Sequence, residues 1–348
     1  MTIVFKGDFE SGDLRGFYWQ HNKPEVVIAP HPVRAGSYSM RSYLHHYDSR
    51  YSFKTMVHVC DDDQGTPDDC STFRFDIGSE YWIGMSTYLP ADWVDDVDSC
   101  NDLIWQFQAS PDDGESYRSP LLAIYIDEDQ YKIWNRWDTR AITPGGDMDF
   151  QGSKLLWSGS TGPDKGQWVD WVFNVHWSWH SDGRMKIWKD GSVIAERTGP
   201  NCSNDERGPY TSFGVYKWPW KPGNEGKYPD SVTDYRLAYY DELRIGDANS
   251  SYQEVSPRGE SPEPLDPEEV IIQEALSLRD AMRLPMPLSF KYPAVLREHG
   301  YSQGAGFGHK EINGRMWGWQ IGFNLDGESA VAYSPEDNYD ATILVKLP

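Results

Sequence analysis

Between Phe5 and about Gly246, apolar residues recur in short alternating or continuous runs separated by Gly, Pro, Asp and Asn clusters, and no helical period persists beyond two turns. That pattern predicts an all-β domain. Strands are expected at 81–89, 103–108, 121–126, 168–177, 184–188 and 235–245. The turn dipeptides Asp182-Gly183 and Asp190-Gly191 flank the 184–189 segment, so this stretch reads as a meander of hairpins. Many short strands of this kind make a sandwich or a jelly roll.

The text changes after Ser256. A Pro- and Glu-rich stretch at 257–267 reads as a linker, and residues 267–283 predict a helix with Val270, Ile271, Ala275, Leu276 and Leu278 toward one side, ended by Pro285. A Gly-rich segment at 302–308 and a β-like run at 316–323 complete a small α+β module. The expected organisation is a β domain over 1–256, the linker, and a module over 268–348 for attachment or assembly, to which the sequence assigns no chemistry.

Three segments of the β domain combine a wet face with a core face. In 210–218 the alternation places Tyr210, Ser212, Gly214, Tyr216 and Trp218 on one side and Phe213 and Val215 on the other. In 50–59 Arg50, Ser52, Lys54 and His58 share a face, with Met56 its only apolar member. In 103–108 Gln106 and Gln108 oppose Leu103, Trp105 and Phe107. An ordinary half-buried strand shows the same alternation. Together, though, a phenol, a glycine and a ring beside amides and cations make a floor on which a sugar can stack and exchange a proton.

Composition sharpens this. Aromatic residues are 14% of the chain, with 16 Trp, and flat rings suit both a large core and the apolar faces of pyranoses. The formal net charge of -22 supplies no basic stripe for nucleic acid. It also repels an acidic polymer at long range, although at high ionic strength the screening length falls to roughly 3 to 4 Å and local cations decide. No apolar run is long enough to span a membrane. Of the 4 Cys, Cys60 and Cys70 bracket an acidic loop, 61–69, shaped for a short disulfide. Cys100 and Cys202 are then left to pair with each other or to remain thiols. Bridges imply an oxidising compartment. No leader is visible at Met1, so the expected routes are secretion after trimming or release with a virus particle.

The runs Gly-Asp-Phe-Glu-Ser-Gly-Asp-Leu at 7–14, Pro-Val-Arg-Ala-Gly-Ser-Tyr-Ser-Met-Arg at 32–41, Ser-Glu-Tyr-Trp-Ile-Gly-Met-Ser at 79–86, the segment 168–191 and Phe-Gly-Val-Tyr-Lys at 213–217 resemble the jelly-roll polysaccharide lyases of the heparin lyase I and glucuronan lyase type. The Gln106 strand and the 210–218 strand also resemble the Gln-x-His and Tyr-x-Lys-x-Gly-x-Tyr-x-Gln strands of jelly-roll alginate lyases. The resemblance covers nearly all of the first domain. It implies a concanavalin-like jelly-roll β-sandwich acting by β-elimination on an acidic, uronate-containing polysaccharide, alginate or glucuronan-like, secreted or extracellular, with no cofactor required.

By position, the resemblance makes Gln106 the carboxylate's hydrogen-bond partner and Tyr216 the proton donor to the leaving oxygen. His58 or Tyr216 itself is the base, and Arg50 and Lys217 supply positive charge. Lys54, Gln108, Asn135, Arg136, Tyr210, Trp218, Trp220 and Lys221 are candidate sugar contacts. His45 and His46 rival His58. The chain departs from the pattern where Gln108 replaces His, Ser212 replaces Lys, Trp218 replaces Gln and Arg-Tyr-Ser stands at Arg50, which leaves the base and the polymer open. Asp241 with Asp8 and Glu10 is the expected position of a structural Ca²⁺. Two other classes compete. A glycoside hydrolase needs paired carboxylates that the floor strands lack, and a non-catalytic glycan-binding or virion attachment protein uses the same aromatics without cutting.

Overall fold

A computed structural model of the chain describes residues 2–48, 53–66, 68–143, 145, 146, 148–257, 268, 271, 272, 275, 292–312 and 315–347. The chain divides into two compact units, Met1–Pro262 and Glu263–Pro348. The expected linker, apart from Pro257, lies outside the described residues, as does Arg50.

The first unit contains strands β1 (Ile3–Gly7), β2 (Phe17–His21), β3 (Glu25–Val27), β4 (Ser39–His45), β5 (Lys54–Val59), β6 (Glu80–Tyr88), β7 (Asp102–Ser110) and β8 (Leu122–Asp127). These are followed by β9 (Gln130–Trp137), β10 (Gly152–Ser160), β11 (Trp168–His176), β12 (Arg184–Lys189), β13 (Ser192–Thr198), β14 (Arg207–Tyr216) and β15 (Tyr235–Gly246). They form two antiparallel sheets. The back sheet runs β13-β12-β11-β6-β15-β4-β3, with β1 added on β15, and the front sheet runs β10-β9-β8-β7-β14-β5-β2. This is the sandwich that the alternating text predicts. At the β12–β13 hairpin Asp190 and Gly191 both take positive φ, as a two-residue turn matched to strand twist requires.

The aromatic excess fills the space between the sheets. Trp105, Trp171 and Trp177 are fully buried with Phe17, Phe75, Phe107, Phe173 and Phe213. Buried threonines on neighbouring strands supply acceptors to two of these indoles, Trp105 Nε1 donating to Thr211 Oγ1 and Trp171 Nε1 to Thr87 Oγ1, each at 2.9 Å, whereas Trp177 Nε1 has no partner among the described residues.

Cys60 and Cys70 are bridged, as the acidic loop suggested. Cys100 and Cys202 are not; both are buried thiols. The reason is topological. Cys100 precedes β7 and Cys202 precedes β14, and these two strands are antiparallel partners, with Leu103 beside Tyr216 and Ser110 beside Arg207. Residues that precede antiparallel neighbours lie at opposite ends of the sheet, roughly 25 Å apart for strands of this length.

Gly214 is fixed by the backbone rather than by ligand space. It has φ +129, and a Cβ there would lie 2.1 Å from the carbonyl oxygen of Thr55 on β5. Gly214→Ala is therefore expected to destabilise the first unit by about 3 kcal/mol. Urea unfolding at constant m-value checks this, and an unchanged midpoint contradicts it.

In the second unit β16 (Gln303–Ile312), β17 (Arg315–Phe323), β18 (Ser329–Pro335) and β19 (Ile343–Lys346) form an antiparallel sheet in sequence order. Residues 268, 271, 272 and 275 are helical, and Ile271 and Ala275 pack with Trp319, Ile321, Val331 and Tyr333. The helix Pro293–Glu298 belongs to a separate cluster of Tyr292, Leu296, Tyr301, Ala330 and Ala332. The Gly-rich run serves packing, since a Cβ on Gly308 would lie 2.3 Å from the Trp319 ring. Among the described residues, no helix is long and apolar enough to cross a membrane.

Candidate active site

The three polar segments become adjacent strands. β14 lies between β7 and β5, with Ser212 opposite both Gln106 and His58, and Tyr216 opposite Lys54. Because β14 and β5 keep strict alternation, Tyr210, Ser212, Gly214 and Tyr216 share one face of the front sheet with Lys54, Met56 and His58. The opposite face carries Phe213, Val215, Val57 and Val59 into the core. The register continues sideways through Tyr18, His58, Ser212, Gln106, Ala123 and Trp134.

The polar groups form two stations. At one, Gln106 Nε2 donates to Ser212 Oγ at 2.8 Å, and the His58 ring stacks on Tyr210 with centroids 5.1 Å apart. At the other, the Lys54 ammonium lies 5.3 Å from the Tyr216 ring centroid, Trp218 meets Tyr216 edge-on at 5.8 Å, and Lys221 lies 4.4 Å over Trp218. Four residues of β14 separate the stations, about 13 Å between Cα atoms. Met56, Leu103 and Ala123 form an apolar cluster on this face, against which Tyr216 and Tyr125 pack. Leu103 corrects the sequence reading, which sent it to the core. A register irregularity between Leu103 and Trp105 turns Ile104 and Trp105 both inward and brings Leu103 out onto the floor.

Burial sets the charges here. His58 is pulled down to about 3, first by desolvation and then by Lys54 and Arg74, so its ring is neutral at ordinary pH and its buried Nε2 has no hydrogen-bond partner. Lys54 is pulled down to about 8 by desolvation and by Lys221. Tyr210 is pushed up to about 12, mainly by desolvation. If Lys54 holds an anionic ligand, KM for it should rise as pH passes upward through about 8, because the ammonium is present below that value and lost above it. Steady-state kinetics of Lys54→Met should show the high KM without that pH step; a wild-type KM that is flat there contradicts the assignment.

Other residues fall elsewhere. Lys217 points into the core, where its Nζ meets the Cys100 carbonyl at 2.6 Å, Asp96 at 2.9 Å and Asp102 at 3.2 Å, so it offers no charge to the groove. Asn135 is also buried on the core side, donating to the carbonyls of Leu121 and Asn201. Trp220 is buried against His46. His45 belongs to β4 of the back sheet, and the His46 ring stacks on Trp220 while its backbone N–H donates to the Asp234 carbonyl just before β15. Gln108 faces the groove side but donates to the Arg118 carbonyl at 2.6 Å. Arg136 lies against Tyr125, Trp134 and Phe150 and donates to the Pro120 carbonyl. Trp218 and Lys221 remain half-buried at the Tyr216 station, with Trp218 Nε1 donating to Tyr228 at 2.7 Å.

Asp8, Glu10 and Asp241 do not converge. Asp241 accepts N–H bonds from Arg34, Ala35 and Glu242, Glu10 accepts from Ser37 and Tyr38, and Asp8 pairs with Lys6. Among the described residues the close acidic group is Asp112, Glu115 and Asp205, and Arg118 pairs with the last two.

Sequence reasoning passed over Arg74, Tyr117, Tyr18 and Trp134. The first was readable: Phe73 and Phe75 pack in the core, so the residue between them faces outward. Among the described residues, none of Lys54, Arg74, Arg136 and Lys221 has a carboxylate within ion-pair distance. In a chain with 54 acidic and 32 basic residues, such a gathering of unmatched cations marks this face for an anion.

A family model described as Polysaccharide lyase matches residues 9–244. No curated protein matches in sequence. Among solved structures, the endo-β-1,4-glucuronan lyase of the fungus Trichoderma reesei aligns with a TM-score of 0.57 and 20% identity, covering 74% of this chain and 99% of that one. Alginate lyase vAL-1 from Chlorella virus aligns at 0.44 and 9%, covering 70% and 99%. The marine PL-14 alginate lyase from Aplysia kurodai aligns at 0.43 and 11%, covering the same shares.

Proposed function

The chain belongs to the polysaccharide lyase family, and from that premise we propose that it cleaves a uronate polysaccharide of the glucuronan or alginate kind by β-elimination, yielding unsaturated oligosaccharides. The observation that carries this reading is the common face of β5, β7 and β14, where Gln106, His58, Lys54 and Tyr216 surround an apolar floor.

The reacting ring lies over Gly214, with its apolar face on Met56 and Leu103. Its carboxylate turns toward Gln106 and the neutral His58 ring, whose N–H groups reduce the negative charge that would otherwise oppose loss of the C5 proton. Tyr216 is the group on this floor that can take part at C5 and O4. Tyr216, as the phenolate, takes the C5 proton; the C5–H electrons form the C4–C5 double bond, the C4–O4 bond breaks, and the phenol so formed gives that proton to the leaving O4. Lys54, with its ammonium 5.3 Å from the Tyr216 ring centroid, is the cation beside this exchange. His58, held neutral and covered by Tyr210, binds charge on this reading and does not itself remove the proton. The reaction requires no cofactor. The four cations on this face suit one carboxylate per sugar better than the denser charge of a sulfated chain, which favours carboxylate polymers over sulfated ones. The Cys60–Cys70 bridge fits an extracellular site of action.

The test is incubation with glucuronan, mannuronate-rich and guluronate-rich alginate, heparin and chondroitin, following ultraviolet absorbance of the conjugated unsaturated uronate. Signal is expected with the unsulfated polymers. A flat trace across the panel overturns the reading.

A further inference from the structure

The groove does not end at Gln106. Beyond the His58–Tyr210 stack, Arg74 holds its guanidinium 5.9 Å from the Tyr210 ring centroid. It donates from Nε to Ser110 Oγ at 3.1 Å and from Nη1 to the Thr72 carbonyl at 3.1 Å, and among the described residues no carboxylate lies within ion-pair distance of it. The segment that carries Arg74 is tied down on its N-terminal side, where Thr72 bridges Cys60 next to the disulfide. On the other rim Tyr117 is 72% exposed and near enough to the Tyr210 hydroxyl to disfavour its ionisation. Its neighbour Arg118 is fully paired with Glu115 and Asp205, and the Arg118 carbonyl takes the Gln108 amide. The acidic trio therefore anchors a loop that presents an aromatic ring at the rim.

A rigid unmatched guanidinium beside two ring faces is what a second uronate requires: stacking for the pyranose and a fork for its carboxylate. Tyr210 and Tyr216 are six residues apart on β14, roughly 20 Å, so this station reaches a sugar beyond the one being cleaved. Resting on the uronate lyase reading above, we infer that Arg74, with the rings of Tyr210 and Tyr117, forms a distal subsite that binds a second uronate of the same chain and makes the enzyme selective for long runs of acidic sugar.

The experiment compares wild type, Arg74→Gln, Arg74→Lys and Tyr117→Ala on a size-fractionated polyuronate and on its trisaccharide. Arg74→Gln should raise KM for the long polymer about tenfold or more with kcat unchanged, and leave kcat/KM for the trisaccharide as in wild type. Tyr117→Ala, whose side chain is exposed and does not hold the fold, should shift KM in the same selective way, and Arg74→Lys should recover part of the loss. Equal loss on long and short substrates, a fall in kcat, or no change in either variant overturns the subsite. Affinity electrophoresis in the same polyuronate separates the two readings. Wild type that is inert on every uronate but retarded by the gel, with Arg74→Gln less retarded, sinks the elimination reading and keeps the subsite; equal mobility of the two sinks the subsite whatever the activity.

Discussion

Tyr216→Phe should lower kcat on a uronate polymer by roughly a hundredfold to ten-thousandfold while leaving KM and the melting temperature close to wild type. The ring is held by apolar contact with the Met56, Leu103 and Ala123 cluster, and phenylalanine keeps that contact. What is lost is the hydroxyl, and with it, on the proposed mechanism, the proton for the departing O4. A drop in kcat without a rise in KM identifies a group used in the transition state and not in ground-state binding. Initial rates by absorbance, with thermal unfolding as the control, decide it. Full activity in the variant would place the proton donor elsewhere, and a large fall in melting temperature would show that the hydroxyl serves the fold.

Lys217→Met should cost about 3 to 5 kcal/mol of stability, the largest loss expected from any surface-sparing change near the groove. Lys217 is completely buried and is shared by Asp96 and Asp102, which Arg236 also binds at 3.0 and 2.7 Å. Removing the ammonium leaves two buried carboxylates with one cation, so the penalty is that of a stranded charge rather than of a missing contact. The same cluster sets an acid limit. Burial pushes the Asp96 carboxyl upward, but Lys217, Ser231 and the Val232 N–H outweigh it and hold the group down at about 2, against an ordinary 3.8. Its contribution is complete above the ordinary value and is lost as pH falls through the folded one. Urea titrations of wild type between neutral and strongly acidic pH should show stability declining over that window, and Lys217→Met should decline less steeply. Equal stability of the two proteins at neutral pH contradicts the account.

The front face was legible because strand alternation is strict where the sheet is regular. The 210–216 and 54–59 patterns gave the faces of Tyr216, Ser212, Lys54 and His58 correctly. The same rule, applied to charge as faithfully as to greasy residues, puts Lys217 in step with Phe213 and Val215, and Asn135 in step with Tyr131 and Ile133. Their polarity hid an inward position that the period already implied. Leu103 was different, since nothing in 103–108 announces that Ile104 and Trp105 both turn to the core; the irregularity depends on how β8 and β14 pair with β7. The Cys60–Cys70 bridge is local and could be read from its loop. The fate of Cys100 and Cys202 depended on strand direction, and the partners of Lys217 come from 96–102, with Arg236 of β15 sharing the same carboxylates, distances at which one sequence carries no pairing signal.

One consequence follows from Tyr216 and Lys217 being neighbours. The residue immediately after the phenol is anchored below the sheet by two carboxylates and a carbonyl, and its own N–H donates to the Phe53 carbonyl at 2.8 Å on the adjoining segment. On the far side of the strap, Asn224 grips the Trp218 carbonyl at 2.9 Å. The phenol thus stands on a stretch of main chain that cannot shift without tearing out a buried ion cluster. On the proposed reading the polymer must do the adjusting, and a sugar whose epimeric centre sets the carboxylate or the glycosidic oxygen at the wrong angle meets an unyielding template.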